Sequence, residues 1–214
     1  MAMSASSEQR ASESAAPSTA FERFAGLGGI ITGLSSLLYA VFFLLVKGSL
    51  HAYLPSIFLA LGAFFATAVL VAVYDRVRTT DSPFALWALL IGIIGQMGAA
   101  VAGMGGLAAV ISGLKAPSGP NLADPRGFLT FGITGVSFLV FSWLIVRSGR
   151  LPRGLGYLGY ANGILVIALY LGTLLTSNDT TSLFILVPGG LASLLSTPIW
   201  YLWGGILFQR SRAA

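Results

Sequence analysis

The chain contains no cysteine and a single histidine, His51, among its 214 residues. Without thiols neither a disulfide framework nor a thiolate metal site can form, and other metal sites need several His, Asp or Glu ligands. Charge is also scarce: 9% of the residues are charged, against about 25% in soluble domains. What charge there is avoids six long stretches, 24–46, 54–74, 84–111, 128–146, 155–176 and 183–208, none of which holds Asp, Glu, Lys, Arg or His. This excludes an acid–base dyad, a nucleophile–histidine pair or a histidine-ligated haem at the depth of those stretches. The sequence therefore predicts a protein with no intrinsic enzyme activity and no cofactor.

What the stretches do contain is 19 to 28 consecutive residues that are predominantly apolar. A bilayer core about 30 Å thick is crossed by roughly 20 helical residues, so each stretch predicts a transmembrane helix. The expected fold is all-α, a six-helix polytopic membrane bundle forming one domain over 24–208. The tail at 1–23 is rich in Ser, Ala and Glu and buries too little surface to order itself, so it is expected to be disordered. It lacks the positive start and short apolar core of a secretory signal, and the first stretch reads as a retained anchor. A short tail, 209–214, closes the chain.

Six crossings put both termini on one side. That side carries Arg10, Arg23, Arg76, Arg78, Arg147, Arg150, Arg153, Arg210 and Arg212, while the other carries Lys47, Lys115 and Arg126. Cytoplasmic loops hold the excess of Lys and Arg, so both termini are expected in the cytoplasm. Trp87, Trp143, Trp200 and Trp203, with Tyr74, Tyr157 and Tyr160, fall in the same half, as interfacial anchors should. The net charge of +5 thus points to topology and anionic lipid head groups, not to nucleic acid. Arg147, Arg150 and Arg153 surround Leu151-Pro152 as topology determinants or as candidate head-group contacts.

Of the 27 glycines, 21 lie within the six stretches. Small residues permit close approach where lipid offers no hydrophobic force between helices. The pairs Gly29/Gly33 and Gly159/Gly163 are candidate contact faces. The third stretch has two rows, Gly95, Ala99 and Gly103, then Gly98, Ala102 and Gly106, and is expected at the centre of the bundle. It is also overlong, with Gly105-Gly106 the expected break, and its following loop is expected to lie along the outer surface. In the sixth stretch Pro198 removes the hydrogen bond to the Leu194 carbonyl, and the Ser196 and Thr197 hydroxyls are expected to satisfy it. Finally, Ile31–Tyr39 (ITGLSSLLY) and Ile133–Phe141 (ITGVSFLVF) agree at five of nine positions. In helices crossing oppositely, this is the expected mark of a 3+3 inverted repeat.

The largest polar side chains at depth are Gln96 and Asn162. With Thr134, Ser137, Ser196 and Thr197 they form either interhelical hydrogen bonds or the lining of a polar site. His51, beside Ser49 and Tyr53, reads as an interfacial anchor. From Val146 to Gly156 the chain runs VRSGRLPRGLG into the glycine-bearing fifth stretch, after a Phe24-Ala25-Gly26-Leu27 entry to the first. In this it resembles a bacterial domain-of-unknown-function family of small six-helix membrane proteins. That resemblance implies a bacterial inner (plasma) membrane location and transfers no activity. Of two functions, the first is the expected one and the second its alternative. One is a non-catalytic subunit or scaffold packing against lipid, a membrane-protein partner or a second copy. The other is a transporter or channel for a neutral or lipid-like solute, without proton coupling because no intramembrane carboxylate is present.

Overall fold

The computed structural model describes residues 20–46, 49–113, 124–177, 179 and 181–210, with the backbone alone at 49–52. Most of the expected disordered tail, the surface loop at 114–123 and the His51 anchor lie outside the described residues. Within them the chain is helical, and six helices are long and apolar enough to cross a membrane. They are α1 (Ala20–Leu45), α2 (Ser49–Val77), α3 (Ser82–Ile111), α4 (Pro125–Ser148), α5 (Arg153–Leu175) and α6 (Leu183–Arg210). Their outer faces carry large apolar side chains, among them Leu90, Ile94 and Val101 on α3 and Ile164 and Leu171 on α5.

The helices reach past the apolar stretches, and a charge pair shows why. Glu22, assigned from sequence to the tail, lies in the first turn of α1 and is buried. It accepts a hydrogen bond from Arg76 Nε in the last turn of α2, at 2.6 Å. An acid at a helix start and a base at a helix end also suit the two helix dipoles. We expect Glu22→Gln to lower stability by about 1–3 kcal/mol, the range for hydrogen bonds to charged groups. Thermal unfolding in detergent measures this, and an unchanged midpoint would show the pair to be dispensable.

Two helices depart from α geometry. α4 consists of a 3₁₀ turn (Pro125–Gly127), a π-helical segment (Phe128–Ile133) and an α-helix (Thr134–Ser148) that ends at Gly149, φ 63°. α6 runs as α-helix over Leu183–Leu191, π-helix over Ala192–Ser196 and α-helix again over Thr197–Arg210. The second irregularity falls in the turn before Pro198, where the missing N–H and the ring disturb the ladder. The neighbouring hydroxyls do not serve the expected purpose: Ser196 and Thr197 both turn to Asn162 on α5. α3, by contrast, is unbroken. Gly105-Gly106 stays helical because α2 runs alongside it, with Gly103 against the Ser56 carbonyl and Ala60, and Gly106 against the Ser56 side chain.

The helices form a ring in chain order, each packed on the next and α6 returning to α1. Contrary to expectation, α3 is not central: it packs chiefly on α2 and α4, and its glycines divide between them. Gly95 and Gly98 meet Thr134 and Leu129 of α4, whereas Gly103 and Gly106 meet α2. α2 reaches inward, touching α4 and α6 across the ring, and its Val69, Val73 and Val77 are fully buried. Gly29 lies against the α6 backbone, Gly33 against Leu202 and the Pro198 carbonyl of the same helix, and Gly159 and Gly163 against α4.

The ring also removes the inverted repeat as a structural symmetry. A two-fold axis that exchanges antiparallel helices acts, seen along the bundle, as a mirror and reverses the sense of the ring. Matching α1–α2–α3 to α4–α5–α6 in a sequential ring keeps that sense. The contacts agree: Gly33 packs on α6 and Ser35 lies by Gly62 of α2, whereas Gly135 packs on α5 and Ser137 on α3. The equivalent residues thus face neighbours that a 3+3 symmetry would not pair.

Candidate functional site

Packing is uneven along the ring axis. The buried apolar core gathers at the arginine-rich end, from Val69, Val73 and Val77 of α2 to Leu144 and Ile145 of α4 and Phe208 of α6. Trp200 belongs to this core. Expected at an interface, it is 1% exposed, stacks edge-on against Phe138 at 4.9 Å and donates from Nε1 to the Leu155 carbonyl at 3.1 Å. Its indole N–H thus finds a carbonyl inside the protein, and the head-group layer is not needed to satisfy it.

Toward the other end lies a partly open cavity of about 420 Å³, lined by all six helices. Such a volume is in the range of small-molecule pockets, roughly 300–1,000 Å³. Most of the lining is apolar, including Phe58, Ala63, Val166 and Leu169. Phe138 and Tyr201 belong both to the cavity wall and to the packed core, with rings 6.1 Å apart and nearly perpendicular. They form the floor. No Lys, Arg, His, Asp or Glu lines the cavity among the described residues.

Four of the six polar residues singled out in the sequence line this one space: Gln96, Thr134, Asn162 and Thr197. The other two do not. Ser137 donates to the Ala88 carbonyl at 2.8 Å and ties α4 to α3. Ser196 stands beside the cavity and donates to Asn162 Oδ1 at 2.7 Å, the same oxygen that accepts from Thr197 Oγ1 at 2.7 Å. Asn162 is fully buried, and its Nδ2 has no partner among the described residues; the same holds for the hydroxyl of Tyr201. A third unpartnered atom, Ser142 Oγ, lies by Gly159 away from the cavity.

Sequence reasoning missed Thr32, Ser36, Thr130, Thr173, Ser193 and Tyr201, which also line the cavity. Tyr201 was legible in principle, because it lies one helical turn after Thr197 and shares its face. The others required the ring. Both π-helical segments border the cavity, through Thr130 and Phe131 of one and Ala192 and Ser193 of the other. The first is held by Asp124, a buried carboxylate that accepts from Leu129 N at 2.6 Å, Thr130 N at 3.1 Å and Thr130 Oγ1 at 2.5 Å. Next to it Arg126 takes the left-handed conformation, φ 55°. Its guanidinium donates to the Thr173 and Leu174 carbonyls at 3.4 and 3.2 Å, and its own carbonyl accepts from Thr173 Oγ1 at 2.9 Å. Those contacts offset the backbone strain.

At the same end, the Thr181 hydroxyl and N–H, 2.7 and 3.0 Å from Asp179, hold that carboxyl below the usual range. Its contribution to the turn before α6 is therefore present above the ordinary carboxylate pKa and lost as pH falls through the lowered one. At the arginine-rich end, Arg147, Arg150 and Arg153 are exposed, with the Arg147 guanidinium 5.2 Å above the Trp143 ring. Among the described residues no three His, Cys, Asp or Glu side chains are placed to hold a metal. No family model, no curated protein and no solved structure matches the chain.

Proposed function

We propose that the protein is a non-catalytic, multi-pass membrane protein that binds and carries a neutral, predominantly apolar solute. The observation that carries this reading is the uncharged, partly open cavity of about 420 Å³ lined by all six helices. Charged solutes would lose hydration there without any compensating partner. The packed floor of Phe138, Trp200 and Tyr201 interrupts the axis, which favours a carrier reached from one side over a continuous channel. The scaffold for a partner or second copy, the first expectation from the sequence, rested on small-residue faces. Those faces are occupied within the ring, Gly29 and Gly33 by α6 and Gly95 and Gly98 by α4.

The distribution of Lys and Arg supports cytoplasmic termini, so the cavity would be reached from the opposite side. The absence of native cysteine suits single-cysteine labelling at the exposed Thr79 and Ser112, which lie at the two ends of α3. In intact cells a membrane-impermeant maleimide should label Ser112→Cys but spare Thr79→Cys until the membrane is opened. The reverse pattern would invert the orientation. For the function itself, native mass spectrometry of protein extracted gently from its membrane should reveal a bound neutral small molecule or lipid, which then enters a liposome flux assay. A stoichiometric protein partner with no small molecule would favour the scaffold.

A further inference from the structure

Two polar groups of the cavity wall are left free to donate. Asn162 Oδ1 already accepts two hydroxyl hydrogen bonds, from Ser196 and Thr197, both at 2.7 Å. Two bonds use both lone pairs of an amide oxygen and fix the plane of the amide. Its NH₂ group is left as a pure donor of two hydrogens, buried and without a partner among the described residues. Tyr201, one turn beyond Thr197 on the same face of α6, adds a phenolic O–H in the same condition. Both residues line the cavity. Buried donors left unpaired are costly, and a site that holds them discriminates strongly for a ligand with the complementary acceptor.

We propose, building on the solute-binding reading above, that Asn162 and Tyr201 recognise the carbonyl oxygen of a neutral lipid-like ligand, a ketone, quinone or ester whose apolar body fills the rest of the cavity. A carbonyl oxygen accepts two hydrogen bonds and brings no proton of its own. An alcohol would also bring a proton, which Tyr201 could take only by turning from donor to acceptor, so a carbonyl is the group that uses both donors on one oxygen. A carboxylate would also accept, but no cation lines the cavity among the described residues, and an unpaired buried charge is expensive. The ligand would lie with its carbonyl on the Phe138–Tyr201 floor and its chain directed away from the arginine-rich end.

The test uses the full chain in mild detergent, titrated with a medium-chain methyl ketone and with the alkane of the same length, followed by native mass spectrometry and thermal shift. The ketone should bind about tenfold more tightly than the alkane, the order expected for one well-made buried hydrogen bond. Its infrared carbonyl stretch should move below that of the ketone in hydrocarbon. Tyr201→Phe removes only an unpartnered oxygen. It should leave the unliganded protein as stable as before or slightly more so, leave alkane binding unchanged, and reduce ketone affinity several-fold. Equal affinity for ketone and alkane, or a bound ketone with an unshifted carbonyl stretch, would overturn the recognition while leaving an apolar solute site standing. Ketone binding that Tyr201→Phe does not weaken would also overturn it. Binding of neither probe would overturn the solute-binding reading itself.

Discussion

Gly205→Ala is expected to part α1 from α6 and lower stability by about 1–3 kcal/mol or more, the cost of overpacking a close contact. A Cβ at Gly205 would fall 2.7 Å from the Gly26 carbonyl oxygen and 2.9 Å from Ile30 N. Both are backbone atoms of α1, so no side chain can rotate aside and the helices must separate. The contact is reciprocal, since a Cβ at Gly29 would lie 2.8 Å from Gly205 Cα. Its neighbour supplies the control. Gly204 is buried but a Cβ there would meet no atom within 4 Å, and Gly204→Ala should be neutral or stabilising by up to about 1 kcal/mol through helix propensity. Thermal unfolding of the two variants in one detergent reads both signs. If both fall equally, the α1–α6 contact is not what decides the effect.

Asn162→Ala carries the second large effect. It removes the oxygen that holds Ser196 and Thr197 and so unties α5 from the π-helical segment of α6. Interhelical hydrogen bonds in membranes average about 0.6 kcal/mol and reach about 1.7, so two of them should cost about 1–3 kcal/mol. The Ser196 hydroxyl keeps only a long contact to the Ala192 carbonyl, at 3.5 Å. Amide exchange should accelerate in Ala192–Ser196 more than elsewhere in α6. The same bonds are lost in the double variant Ser196→Ala, Thr197→Val, so combining it with Asn162→Ala should add little. Additive losses would show that the three side chains do not act as one unit.

Much of this is visible in the chain before any fold is known. Six uninterrupted apolar runs specify six helices because every backbone group in lipid must be satisfied within the segment. The helix ends were read less well. Glu22 and Arg76 look like loop charges until the first turn of α1 is set beside the last turn of α2, where each becomes the other's partner. Trp200 and Trp203 are three residues apart, yet one is buried and the other is partly exposed. Nothing in their local sequence separates an anchor from a core residue. The polar residues show the same division. Gln96, Thr134, Asn162 and Thr197 converge on one cavity, while Ser137, equally plausible in sequence, is spent on the Ala88 carbonyl.

By itself, then, the sequence determined the number of helices, their approximate span and the absence of charge between their ends. These are local quantities, fixed by run length and by the cost of desolvating ions. Only the tertiary structure decided the order of the ring, the inward position of α2, the unbroken course of α3 and the lack of an inverted-repeat symmetry. It also decided that the hydroxyls beside Pro198 bond Asn162 and leave its NH₂ group without a partner among the described residues. Those outcomes depend on which small residue meets which backbone across the bundle, and a contact between distant helices leaves no periodicity in either of them.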